Sequence, residues 1–369
     1  MDISTYMEKN GHEGLSFFRD AHSGLKAVMA IHDTTLGPAM GPPKIASYAS
    51  EDDAVLEALR FSYNHTYKNA MADLPFGGGR IIVMGDSAHA KTEALVRSLG
   101  RFIESMCGRY VITGGGSGFN DDDTELLLQE TRHIIGLPVH HGGSGDSGIM
   151  AGYGVYHGLK ACALEVFGTD ALAGKTIAIS GLGKVGSALA ENVLKEGASL
   201  IVSDVRKPAL TKWKERYGAL IVDPGEIFDV QCDILSPCSV SNFLNHRNIK
   251  RLKCKIVGGA ANNQLADQQK DAEALQQRGI LLAPEFVINA GGIINFYAEI
   301  GGYKPELARS KTENIHTVLS SVFSKAKLEK ITPVEAAYAL AKEKIDQASG
   351  LRGVNQGMSR HRPADGMRS

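Results

Sequence analysis

The sequence is short of the features that would direct it to a membrane, a nucleic acid or an oxidising compartment. Its 369 residues carry a formal net charge of −1, so it offers no basic footprint for nucleic acid or an anionic bilayer. No apolar run approaches the roughly 20 residues that a membrane-spanning helix requires. The opening residues, MDISTYMEKNGHEG, lack the apolar stretch of a signal peptide. Cysteine is sparse: Cys107, Cys162, Cys232, Cys238 and Cys254 are 5 in number and irregularly spaced. That excludes a disulfide framework or a zinc-type cysteine pattern and fits small buried side chains in a reduced, cytoplasmic protein. No pair of carboxylates stands at ligand spacing, so no metal site is expected.

Glycine is abundant instead. The 42 glycines cluster at 77–79, 114–118, 142–147, 181–186, 258–259 and 291–292, as tight turns and close backbone approaches demand. The length suits two domains. Residues 13–32 read as two strands about the turn HSG, and Ser50 caps a helix whose apolar positions Val55, Leu56, Leu59 and Tyr63 carry it to about Ala72. The glycines 77–79 then read as a turn leading into the strand RIIVM, followed by a helix over 91–106, the strand RYVITG and a helix over 121–134. From about 149 the chain alternates helices with short apolar strands, the last of them ILLAPEFVI, which implies a parallel sheet covered on both faces. Helices over 307–329 and 333–348 close the pattern, and a polar, glycine-rich tail follows Gly350. The expected division is a substrate and oligomerisation domain over 1–148, completed by 330–369, and a dinucleotide-binding domain over 149–329.

The stretch IAISGLGKVGSALAENV places Gly181, Gly183 and Gly186 between a strand and a helix. These glycines give a tight turn, backbone access to a pyrophosphate and close helix–strand packing. Asp204 ends the next strand, where a carboxylate accepts hydrogen bonds from the ribose hydroxyls of NAD. Arg206 could instead pair with the 2′-phosphate of NADP, although Asp204 would repel it, so NAD is favoured.

With these motifs go TLGPAMG (35–41), TYKNAMADLPFGGG (66–79), GRYVITG (108–114), AGYGVYHGLKA (151–161), CDILSPCSV (232–240), GGAANNQLA (258–266) and APEFVINAGGIIN (283–295). In this order they resemble the leucine/phenylalanine/valine dehydrogenases, smaller relatives of glutamate dehydrogenase, along nearly the whole chain. The resemblance implies an α/β, two-domain architecture, a Rossmann NAD domain beside an α/β substrate domain, in a homo-oligomer. It also implies reversible oxidative deamination of an amino acid. Lys68 matches the lysine that binds the substrate carboxylate, with Met40, Gly41, Asn263, Ala290 and Ile293, together with Ile294, around a substrate with an apolar side chain. Lys184, Val185, Val205, Pro237, Cys238, Ala260, Asn262 and Asn289 join the glycines, Asp204 and Arg206 around the cofactor.

The chain departs from that pattern where the chemistry is done. GGGK becomes GGGR, which puts Arg80 in the place of the catalytic lysine. The T-x-x-D-x-G segment reads TGGGSG and puts Gly116 in the place of the proton-shuttling aspartate; the NPSP-x-T stretch is also altered, with Ala151 for its threonine. Arginine keeps its proton far above neutral pH and cannot act as a base there. Asp73 is a relocated acid or the ion-pair partner of Arg80. His65, one helical turn before Lys68, could donate a proton, as could His140 or His141. Three readings stay open: an oxidoreductase that reduces a preformed imine, a conventional amino-acid dehydrogenase with a relocated proton shuttle, and a catalytically silent NAD-binding homologue.

Overall fold

Two sheets divide the chain. The computed structural model describes residues 2–359 apart from Ala88. A first helix α1 (Ile3–Asn10) leads into β1 (Gly14–Asp20) and β2 (Leu25–Ile31), the hairpin expected from the sequence. Next come β3 (Ala39–Gly41), β4 (Pro43–Ala46), α2 (Glu51–Met71) and β5 (Gly77–Met84). The Ser50 side chain caps α2 by accepting from the Asp53 amide at 3.2 Å, and the acids behind it favour the helix N-terminus. The half is completed by α3 (Glu93–Ser105), β6 (Tyr110–Thr113), α4 (Asp121–Glu130) and β7 (Ile134–Ile135). Its sheet runs β1-β2-β5-β3-β6-β7, with β4 also paired to β5.

The second sheet hangs on α5 (Ser147–Phe167). Its elements are β8 (Thr176–Ser180), α6 (Lys184–Lys195), β9 (Ser199–Ser203), α7 (Lys207–Tyr217), β10 (Leu220–Ile221), β11 (Ile234–Pro237), α8 (His246–Ile249), β12 (Ile256–Val257), α9 (Gln268–Gln277) and β13 (Leu281–Leu282). All pairs are parallel, in the order β10-β9-β8-β11-β12-β13. In order of occurrence that is 3-2-1-4-5-6, the doubly wound arrangement in which a ligand lies beyond the carboxyl ends of the central strands. The chain then forms α10 (Glu285–Ile288), α11 (Gly291–Tyr297), α12 (Pro305–Glu313), α13 (Ile315–Glu329) and α14 (Pro333–Ser359). Helix α14 packs on both α13 and α2, so the end of the chain returns to the first half.

Several expectations change in detail. Gly77, Gly78 and Gly79 are not a turn but the first residues of β5. Side chains there would overlap the Asp33 carbonyl, the Ser62 carbonyl and the Tyr110 ring in turn, so α2 and the Tyr110 ring of β6 can press directly onto the strand. ILLAPEFVI is a two-residue strand that breaks at Pro284 into α10. The helix over 307–329 is two helices meeting at Asn314, and the last helix runs on past 348 to Ser359. The remainder of the expected tail, 360–369, lies outside the described residues. Among those residues no helix is long and apolar enough to cross a membrane.

Candidate active site

The last turn of α2 faces the loop after β12 across the space between the two halves. Lys68 Nζ lies 3.3 Å from Asn262 Oδ1, and Asn289 Nδ2 donates to the same oxygen at 3.0 Å and to the Ala260 carbonyl at 3.1 Å. The Asn289 Oδ1 is buried without a partner, leaving an acceptor for a ligand's donor beside Lys68. Burial pushes the Lys68 ammonium down to about 8, although the Glu285 carboxylate favours its charge. Glu285, which sequence reasoning missed, accepts from the Asn263 amide at 2.6 Å and from the Gln264 amide, and so holds this loop against α10. Burial raises its own pKa. Its signal in the sequence was only an acid beside a proline.

Asn263, expected at the substrate, turns elsewhere. Its backbone is left-handed (φ 49°), and its Oδ1 accepts from Asn64 Nδ2 at 3.2 Å. Asn262, expected at the cofactor, is the residue that meets Lys68. Met40, Ala290, Ile293 and Ile294 are buried in one apolar cluster with Met71, Leu74 and Phe76. Gly41 lies tight against β5, where a Cβ would overlap the Gly79 carbonyl. Its own carbonyl accepts from the Tyr110 hydroxyl at 2.9 Å.

Of the expected proton donors, His65 lies within reach of the Lys68 charge, while Asp73 turns away to Lys344. Arg80 is buried under α2 and not paired with Asp73. Its guanidinium lies 4.1 Å from the centre of the Phe61 ring, donates to the Pro42 carbonyl at 3.1 Å and has Glu57 at 3.8 Å. Burial pulls its pKa down, opposed by Tyr110 and Glu57. Asp73 has a left-handed backbone (φ 51°) that aims its carboxylate outward, 2.5 Å from Lys344 of α14. His65 is fully enclosed, with Nδ1 2.8 Å from the Met40 carbonyl. Burial, with the charge of Lys68 behind it, pushes its pKa down to about 3, so it carries no spare proton near neutrality. His140 and His141 stand away from this place and pair with Glu125. At Gly116, a Cβ would lie 2.7 Å from Pro43 Cδ and overlap the Pro43 carbonyl oxygen. Ala151 lies in α5, under Gly291.

The nucleotide turn has the residues and the room for NAD. Gly181 is left-handed (φ 94°), and a Cβ on Gly186 would overlap its carbonyl. A Cβ on Gly183 meets nothing within 4 Å, and Gly183 begins α6 with no side-chain cap. That leaves helix N–H groups and open space for a pyrophosphate. Lys184 pairs with Asp146 at 3.2 Å, Val185 follows it in the first turn of α6, and Val205 is exposed just past β9. Pro237 ends β11 beside Ser180, and the Cys238 amide donates to the Ser180 carbonyl at 2.7 Å, setting the floor of the crevice. Asp204 accepts from the Leu182 amide at 2.7 Å and from the Arg206 amide and guanidinium at 2.8 and 3.1 Å. The Arg206 hydrogen bond and the two amides hold Asp204 down at about 2. The expected repulsion between acid and phosphate therefore sits beside a cation that the acid itself holds.

Comparison with known proteins agrees with this architecture. Residues 14–133 match the Glu/Leu/Phe/Val dehydrogenase dimerisation domain, and residues 142–207 and 202–353 match the Glutamate/Leucine/Phenylalanine/Valine dehydrogenase domain. The chain belongs to this family. It is 44% identical over 352 residues to a leucine dehydrogenase of Thermoactinomyces intermedius, covering 95% of this chain and 96% of the relative. It is 43% identical over 340 residues to a phenylalanine dehydrogenase of Lysinibacillus sphaericus, covering 91% and 89%. The crystal structure of L-tryptophan dehydrogenase from Nostoc punctiforme superposes with a TM-score of 0.81 at 35% identity, covering 94% of this chain and 99% of that one. The chain is thus an oxidoreductase of the amino-acid dehydrogenase type.

Proposed function

We propose that the chain is an NAD-dependent oxidoreductase acting at the carbon–nitrogen bond of an amino or imino acid with an apolar side chain, and that it works chiefly by reducing a C=N bond already formed. The observation that carries this is the packing of Gly116 on Pro43, which leaves no room for a carboxylate where the resemblance requires one. Bound NADH supplies the hydride. Lys68, as the ammonium, holds the substrate carboxylate, and Asn262 and Asn289 orient it. Met40, Ala290 and Ile293 surround the side chain. Hydride addition to the carbon would send the C=N π pair to nitrogen, so an iminium that arrives protonated would need no acid from the protein. Activating water or ammonia would need a base, and Arg80, locked against Phe61 and the Pro42 carbonyl, is not one.

A second reading is ordinary deamination of a leucine-, phenylalanine- or tryptophan-like amino acid. The names of the relatives favour it, and so does the depressed pKa of Lys68, which puts some free amine in the cleft at mildly alkaline pH. Asp73 and His65 do not serve it. In both readings residues 1–148, with the chain from 330, form the substrate domain and 149–329 the nucleotide domain, and Asn262, Asn289, Ala290 and Ile293 reach from the second to the substrate. A homo-oligomer forms through the 14–133 half.

The experiment is NADH oxidation with cyclic and acyclic imino acids, set against NAD reduction with L-leucine, L-phenylalanine and L-tryptophan. Faster imine reduction supports the first reading. Faster deamination overturns it in favour of the second, and tight NADH binding without turnover of either panel overturns both.

A further inference from the structure

Glu125, His140 and His141 form a cluster that the reaction does not use. Glu125 lies on α4. The two histidines occupy a single turn of 3-10 helix, Val139–His141, closed by Gly142 in the left-handed conformation (φ 77°). The turn sets the imidazole centroids 4.5 Å apart, with the rings tilted by 45°, and aims both at one carboxylate. His140 Nε2 is 2.6 Å and His141 Nε2 3.7 Å from the same Glu125 oxygen, and all three atoms lie within 4.8 Å of one another.

We propose that these three side chains are a binding site for a zinc-class divalent cation. Two imidazole nitrogens and one carboxylate oxygen suit zinc and its transition-metal neighbours better than magnesium or calcium, which take oxygen ligands. Ligand bonds of about 2.0–2.2 Å put the donors of a tetrahedral site roughly 3.3–3.5 Å apart. One donor pair is already near that spacing, and the close one has only to open on losing its hydrogen bond. The histidine side chains are 64% and 37% exposed, so solvent can fill the remaining positions.

The framework around the site is held in place. On its far side the Glu299 carboxylate accepts from the Gly136 amide at 2.7 Å, the Leu137 amide at 3.2 Å and the Ser144 amide at 2.7 Å. These bonds fix both ends of the loop that presents the histidines. The same loop is the connector from β7 into α5, the passage from the first half to the second. A cation held by Glu125 and both histidines ties α4 to that connector, so its effect is to brace the joint between the halves. It takes no part in hydride transfer.

The test uses the full chain, stripped with a chelator, dialysed and titrated calorimetrically with zinc chloride, with magnesium chloride as the control. The expected result is one zinc per chain with an affinity on the order of micromolar and no magnesium binding. Glu125→Gln, His140→Ala and His141→Ala should each weaken zinc binding by roughly tenfold or more. The melting temperature should rise with zinc in the parent and not in the double variant His140→Ala/His141→Ala. Metal-free melts and NADH binding should be the same in parent and variants; if the alanine pair is unstable, His140→Gln/His141→Gln carries the same comparison. Equal zinc binding by parent and double variant, or no saturable zinc binding below millimolar, overturns the proposal.

Discussion

Pro43 occupies the space that a side chain at Gly116 would need: a Cβ there lies 2.7 Å from both Cδ and Cγ of Pro43 and overlaps its carbonyl oxygen. Restoring the aspartate is therefore not a simple repair. Gly116→Asp, alone or with Arg80→Lys, should leave deamination of L-leucine unimproved and cost roughly 1–3 kcal/mol of stability through overpacking. Thermal melts and NADH formation check this together. A stable variant with increased deamination would show that the loop yields easily and that the missing carboxylate alone limits the reaction.

Glu57 gathers the charges under α2. It accepts from Lys44 Nζ at 2.7 Å and from the Tyr48 hydroxyl at 2.8 Å, and lies 3.8 Å from Arg80. Burial works to raise its pKa, but the hydrogen bonds from Lys44 and Tyr48 keep it below the ordinary value. Glu57→Gln leaves the buried guanidinium without its counter-charge and should cost roughly 1–3 kcal/mol. Denaturant melts measure it. An unchanged midpoint would mean that the Phe61 face and the Pro42 carbonyl suffice to hold Arg80.

Lys68 should set the alkaline limb of the rate profile. With its pKa depressed to about 8 by burial, the ammonium that holds a carboxylate is lost as pH rises through that value. The expected profile is kcat/KM falling above about pH 8. Lys68→Met should bind substrate roughly 10- to 100-fold more weakly, the loss of a charged hydrogen bond, and show no such limb. A rate that instead climbs through pH 8 in the parent, and not in the variant, would make Lys68 the base of the deamination reading.

Acid should destabilise the first half through its buried histidines. Burial pushes His32 down to about 4 and His65 to about 3, both below the 6.5 of an unfolded chain. The unfolded state therefore binds protons first. The stability due to the neutral imidazoles is complete above pH 6.5 and is lost progressively as pH falls from there toward the folded values. By pH 5 the loss is about 2 kcal/mol for each histidine. Denaturant unfolding at pH 7 and pH 5 gives the number, and His32→Gln should remove its share of the difference.

The parts of this chain legible in its sequence were those set by neighbouring residues. The Ser50 cap, the hairpin at HSG and Gly181–Gly186 between strand and helix are local patterns, and each took its expected form. What escaped was decided by residues far apart in the chain. Gly77–Gly79 read as a turn because nothing nearby shows that α2 and Tyr110 will press onto them. Arg80 found Glu57, 23 positions earlier, because β5 lies under α2, while a left-handed backbone turned Asp73 outward. One more such residue is Asn263, whose left-handed backbone turns it to Asn64, while Asn262, expected at the cofactor, meets Lys68 instead. Glu125 and His140 are 15 residues apart, a separation that no spacing rule for metal ligands covers.

Cofactor choice rests on Asp204 and Arg206 together. The carboxylate is nine-tenths buried at the end of β9 and fixed by the Leu182 amide, where it would accept from the adenosine ribose. The guanidinium, 61% exposed, is held over it by hydrogen bonds of 3.1 Å. With the acid present, a 2′-phosphate meets a buried negative charge and a cation already neutralised by it, so NADH should bind more tightly than NADPH. Asp204→Ala removes the ribose acceptor and the repulsion in one step and frees Arg206 to pair with phosphate. NADH affinity should fall and NADPH affinity rise, narrowing the gap by roughly tenfold or more, the scale of one charged hydrogen bond. The double variant Asp204→Ala/Arg206→Ala separates the two contributions: it should bind both cofactors weakly and lose the gain for NADPH. Fluorescence titration of the reduced cofactors reads every arm. A parent that prefers NADPH would mean that Arg206 leaves Asp204 on binding and governs the choice itself.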